Sequence, residues 1–272
     1  MKNSIALFVF IILCPTKFSA QDYNDQFKND ICDCLEDKFY KLKRASSAYD
    51  KCFQEKLPVY ASLIDAEINE ENTKVKFSKG QLARRELKKR YQIELMYSCD
   101  LYYRAKEEEY RKKMAKGVTE VSFADLKSLN EMVAMYPKAI SYMFRAKTHF
   151  YLGNLKQAEA DIIESYKIDT GRLNSLEEKQ RKVLYALILQ EQRRYAEAGK
   201  LYDEIYETSK DIEAAIYRAM VNRLNGDDPP IKTSSLNNKN SQMKSAKTNG
   251  SNNKSNDAKD SDLRKLFKLK KN

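Results

Sequence analysis

The chain has 272 residues, 50 Lys and Arg against 39 Asp and Glu, a formal net charge of +11, and 42% hydrophobic residues. Seven Gly and five Pro are too few for the frequent turns of a sandwich or barrel. A single histidine, His149, argues against His-rich metal sites, and no glycine-rich phosphate loop is present.

Residues 1–20 read as a secretory signal. Lys2 supplies the positive start, and residues 5–13 are an apolar run too short to span a bilayer. Cleavage is expected after Ala20. Cys14 raises lipid attachment as an alternative, but Leu13 stands where that signal needs a small residue. The expected location is therefore secreted or periplasmic. Removing the signal leaves Cys32, Cys34, Cys52 and Cys99, an even set that suggests disulfides in an exported protein. Residues two apart on a helix point about 200° away from each other, so Cys32 and Cys34 are expected to bond to different partners. A redox pair and a four-Cys zinc site are the competing readings. The zinc site is disfavoured because its usual ligand spacing is C-x-x-C.

Residues 21–117 read as a cysteine-containing bundle of three or four helices. Phe27, Ile31, Leu35 and Phe39 recur at the period of one helix face. Ser46 or Ser47 could cap a second helix carrying Tyr49, Phe53, Leu57 and Tyr60. Ser78 and Gln81 form a capping-box pattern before Leu87, Tyr91, Leu95 and Tyr102. Gly117 suits a helix end. The Glu107-Glu108-Glu109 run sits among Lys and Arg and reads as a solvated face.

Residues 118–226 carry the most specific pattern. Ala146 is small where two helices must approach, Leu152-Gly153-Asn154 supplies a turn, and Ala158 is the small partner on the next helix. The pattern recurs with Ala186, Tyr195, Ala198 and Tyr202, and Tyr217-Arg218-Ala219 opens a third copy that ends at Gly226. A weaker helix is expected over 122–136. Together these residues resemble the tetratricopeptide repeat (TPR) family, a helix–turn–helix unit of about 34 residues. The resemblance is confined to about 122–226, and the N-terminal bundle resembles no family.

The resemblance implies a concave groove lined by the first helix of each repeat. Carried over, it places Met143, Lys147, Phe150 and Tyr151 in the groove from the first repeat. The second supplies Leu187, Gln190 and Glu191, and the third Met220 and Arg223. Such a surface could hold a protein or peptide partner. The alternative is that a short array packs these residues against the N-terminal bundle. His149 falls where the repeat usually has a packing aromatic.

Residues 227–272 are expected to be a disordered basic tail with 11 basic and five acidic residues. Leu263, Leu266 and Phe267, ringed by cations, could contact an anionic surface. The body from 21 to 226 is nearly balanced, with 37 basic and 34 acidic residues, so no specific nucleic acid binding is expected. The resulting expectation is an exported, all-α, non-catalytic protein-binding or scaffolding module without cofactor or metal. The alternative is thiol-redox or other enzyme activity in the cysteine-containing bundle.

Overall fold

The computed structural model describes residues 20–42, 44–168 and 175–226. The expected signal segment up to residue 19, Cys14 included, and the basic tail from residue 227 lie outside the described residues. Within them the fold is all-α, with ten helices and no strand.

The first four helices form a bundle: α1 (Ala20–Leu42), α2 (Ala45–Ala66), α3 (Thr73–Ser98) and α4 (Asp100–Thr119). Their periodic apolar faces meet. Phe27 and Ile31 of α1, Tyr49 and Phe53 of α2, Tyr91 and Leu95 of α3 and Tyr102 of α4 are all buried. Phe27 stacks on Tyr60 with ring centroids 4.4 Å apart and meets Tyr91 edge-on at 5.3 Å. Such pairings add to the area term. Tyr60 donates to Asp30 at 2.7 Å and Tyr91 to Asn24 at 2.7 Å, whereas the buried Tyr102 hydroxyl has no hydrogen-bond partner among the described residues.

Two capping expectations are corrected. Helix α2 begins at Ala45 behind Arg44, without a side-chain cap, and Ser46 instead accepts a hydrogen bond from Lys106 of α4. Helix α3 begins at Thr73, where Asn72 Oδ1 accepts from the N–H groups of Lys74 (3.1 Å) and Val75 (3.2 Å). With those end donors satisfied upstream, Ser78 lies inside the helix.

Helices α3 and α4 are separated by one residue, Cys99, in an extended conformation (φ −130°, ψ 102°). A disulfide ties this corner to Cys32 on α1, and a second joins Cys34 of α1 to Cys52 of α2. The two α1 cysteines thus bond to different helices, as their opposed directions require.

The second half begins with α5 (Phe123–Met135), capped by reciprocal hydrogen bonds between Ser122 and Asp125. Two hairpins follow, α6 (Ala139–Tyr151) with α7 (Leu155–Lys167) and α8 (Ser175–Glu191) with α9 (Tyr195–Ser209), and then α10 (Ile212–Asn225). Ala146, Ala158, Ala186, Ala198 and Ala219 are fully buried where helices approach closely. The turn geometry repeats. Gly153 (φ 78°), Arg193 (φ 61°) and Gly226 (φ 76°) take left-handed backbone at the ends of α6, α8 and α10.

Arg181 joins the two hairpins. It is 2% exposed, donates to the Ser165 carbonyl at 3.0 Å, pairs with Glu178 and lies over the Tyr166 ring at 3.8 Å. The core is continuous from Tyr23 of α1 to Val221 of α10.

Candidate functional site: the cleft beside the shared helix

Helix α4 is shared between the two halves. Tyr102, Ala105 and Lys106 belong to its buried bundle side. Tyr103, Tyr110 and Gly117 recur every seven residues on another side, the step that keeps side chains on one helix face. This side meets α10, α8 and α6 in turn. Arg223 of α10 lies over the Tyr103 ring at 4.0 Å and donates to Asp100 at 2.7 Å. Tyr110 donates to Glu191 of α8 at 2.7 Å. Gly117 lies against the Tyr151 ring of α6. Lys113 adds an ion pair with Glu213 at 2.7 Å.

This arrangement decides where the expected groove residues lie. Met143, Phe150 and Leu187 are buried in the core. Tyr151, Glu191 and Arg223 face α4, and Lys147 is exposed. Gln190, Glu191 and Met220 line one cleft. Part of the expected groove therefore packs against the N-terminal bundle, the alternative reading: Tyr151, Glu191 and Arg223 meet α4, and Arg223 also donates to the Met96 carbonyl of α3 at 3.1 Å.

A cleft of about 260 Å³ lies between α4 and the turn ends of α8 and α10. Met220 (3% exposed) and Gln190 (6% exposed) lie deepest. Tyr103, Tyr195 and the exposed Leu224 line its sides. The charged lining comprises Glu107, Arg111, Glu191 and Arg193, with Arg111 donating to Glu107 at 2.8 Å. Burial, and then the hydrogen bond to Glu191, push the Tyr110 hydroxyl far above its ordinary range, so it remains a proton donor at any physiological pH. Burial likewise raises Tyr103.

Sequence reasoning missed the contributions of α4 and of the turn after α8. The seven-residue spacing of Tyr103, Tyr110 and Gly117 was the available signal. No comparable signal pointed to Arg193.

Elsewhere the candidate chemistry resolves into packing. His149 is half-buried, with Nδ1 3.4 Å from Asn154 Nδ2, and burial lowers its pKa. Glu108 pairs with Lys112 at 2.6 Å on the solvated face of α4, and Glu109 with Lys106 at 3.0 Å. Among the described residues no group of three or more His, Cys, Asp or Glu could hold a metal ion, and no helix is long and apolar enough to cross a membrane. Against known proteins, the chain matches no family model, no curated protein and no solved structure.

Proposed function

We propose that this protein is an exported, non-catalytic binding module that engages another protein at the cleft beside α4. One observation carries the reading: a cleft between α4 and the ends of α8 and α10 brings the exposed Leu224 together with the hydrogen-bonding and charged groups of Gln190 and Arg193. Such a combination suits recognition of a peptide segment. The TPR resemblance points the same way, since that family mostly binds proteins. Four cysteines joined in two disulfides between helices fit an oxidising compartment and support a secreted or periplasmic location. The same pairing supports a structural role for Cys32 and Cys34 over the thiol-redox alternative.

The test is comparative capture. Full-length protein and a Leu224→Glu variant of equal melting temperature are immobilised and exposed to native extract of the source organism. Leu224 is 47% exposed, so the substitution leaves the core untouched while placing a charge on the cleft wall. Partners retained by the parent and lost by the variant are the expected result. Identical retained sets would refute the cleft as the binding surface.

A further inference from the structure

Arg193 holds a left-handed backbone (φ 61°) where Gly153 and Gly226 stand at the ends of α6 and α10. A residue with a Cβ pays about 1–2 kcal/mol for that conformation. Lys210 (φ 52°) takes the same backbone after α9 without lining the cleft, so the position of the Arg193 side chain, not the strain alone, is what bears on a ligand. Here the side chain lines the cleft, is exposed, and forms no ion pair among the described residues.

A second observation is independent of the first. Gln190 is 6% exposed, and its Oε1 accepts from the buried Tyr202 hydroxyl at 3.1 Å. That bond leaves the amide nitrogen as the cleft-side group, and Nε2 makes no hydrogen bond among the described residues. Glu107 is already paired with Arg111, and Glu191 already accepts from Tyr110. Arg193 is the lining cation that forms no ion pair among the described residues, and the exposed Glu191, whose charge the neutral Tyr110 hydroxyl leaves in place, lines the same cleft. The cleft thus combines the exposed apolar side chain of Leu224, an amide donor at Gln190 and a cation at Arg193.

We infer that the cleft takes an extended segment of the partner protein in which an apolar side chain lies within two residues of an Asp or Glu. The apolar side chain rests on Leu224, a main-chain carbonyl accepts from Gln190 Nε2, and the carboxylate pairs with Arg193. This inference rests on the protein-binding role proposed above.

The test selects a random peptide library displayed on phage against full-length protein, an Arg193→Glu variant, an Arg193→Gly variant and the Leu224→Glu variant. Peptides joining an apolar residue to a nearby Asp or Glu are expected for the parent. Arg193→Glu should turn the preference to Lys or Arg. Arg193→Gly keeps the left-handed turn, and should weaken a selected acidic peptide about fivefold, the scale of one exposed ion pair. Peptides lost by Leu224→Glu but indifferent to acid, or unchanged by Arg193→Glu, would overturn the inference and leave the protein-binding role standing. Selection of no peptide that depends on Leu224 would overturn both.

Discussion

Gly117 and Tyr151 are in direct contact across the α4–α6 interface, with no room for a methyl group between them: a Cβ on Gly117 would sit 2.0 Å from Tyr151 Cε1. The ring therefore rests on bare helix backbone, and glycine is needed here for close approach rather than for turn geometry. Gly117→Ala should destabilise the protein by about 1–3 kcal/mol through overpacking. Pairing it with Tyr151→Ala should recover part of that loss in urea unfolding. Strict additivity of the two changes would mean the residues do not meet.

Arg193 and Gly153 share a backbone conformation at equivalent turns. Arg193→Gly should raise stability by about 1 kcal/mol, because glycine takes positive φ without a Cβ penalty. Gly153→Ala, which meets no side chain within 4 Å, should lower stability by a similar amount for backbone reasons alone. Denaturation midpoints moving in the same direction would contradict the assignment.

Arg181 is a charge buried between hairpins, and its value lies in its partners. Arg181→Ala leaves the Ser165 carbonyl without its donor and empties the space over Tyr166, and should cost about 1–3 kcal/mol. Arg181→Met fills the volume and should cost less. Equal losses in thermal unfolding would show that the polar contacts, rather than packing over Tyr166, dominate.

The seam between α4 and α10 should weaken in acid. The hydrogen bond from Arg223 holds Asp100 below its ordinary pKa. Burial alone would raise Glu213, but the hydrogen bonds from Lys113 and Tyr217 outweigh it and hold Glu213 below its ordinary value. A folded pKa below the unfolded one means stability is present above the unfolded value, about pH 4, and is lost as pH falls through the lowered folded value. Urea midpoints measured from pH 6 to pH 2 should fall, and an Arg223→Met/Lys113→Met double variant should fall less. An unchanged slope in the double variant would place the acid sensitivity elsewhere.

The two disulfides should contribute unequally. Cys32–Cys99 spans 67 residues and Cys34–Cys52 spans 18. By loop-closure entropy, removing the longer one with paired Cys→Ser changes should cost about 1 kcal/mol more than removing the shorter. Equal losses, or a reversed order, would show that local packing rather than chain restriction governs.

Much of the fold was legible because its helices bury one face at helical spacing. Phe27, Ile31 and Leu35 announce α1, and the alanines at 146, 158, 186, 198 and 219 announce close hairpin packing. The α3 start was misplaced because Asn72 and Ser78 are both chemically competent caps, and only the three-dimensional context chooses between them. The site was harder to see. Helix α4 packs on two sides, so its second stripe is broken up by the glutamates and lysines between Tyr103 and Gly117. Its partners also lie far along the chain: Lys113 and Glu213 are 100 residues apart. Inner-face residues fit both an open groove and packing against the bundle, and Met143 and Leu187 fold as core.

The most direct test of the protein-binding role places a photo-crosslinking amino acid at Leu224, on the cleft wall, or at Lys156, exposed on α7. Each full-length variant is irradiated in the exported fraction of source cells, and adducts are resolved by mass. The account predicts a discrete protein adduct from position 224 and none from position 156. Equal labelling at both positions, or no adduct at 224, would contradict it.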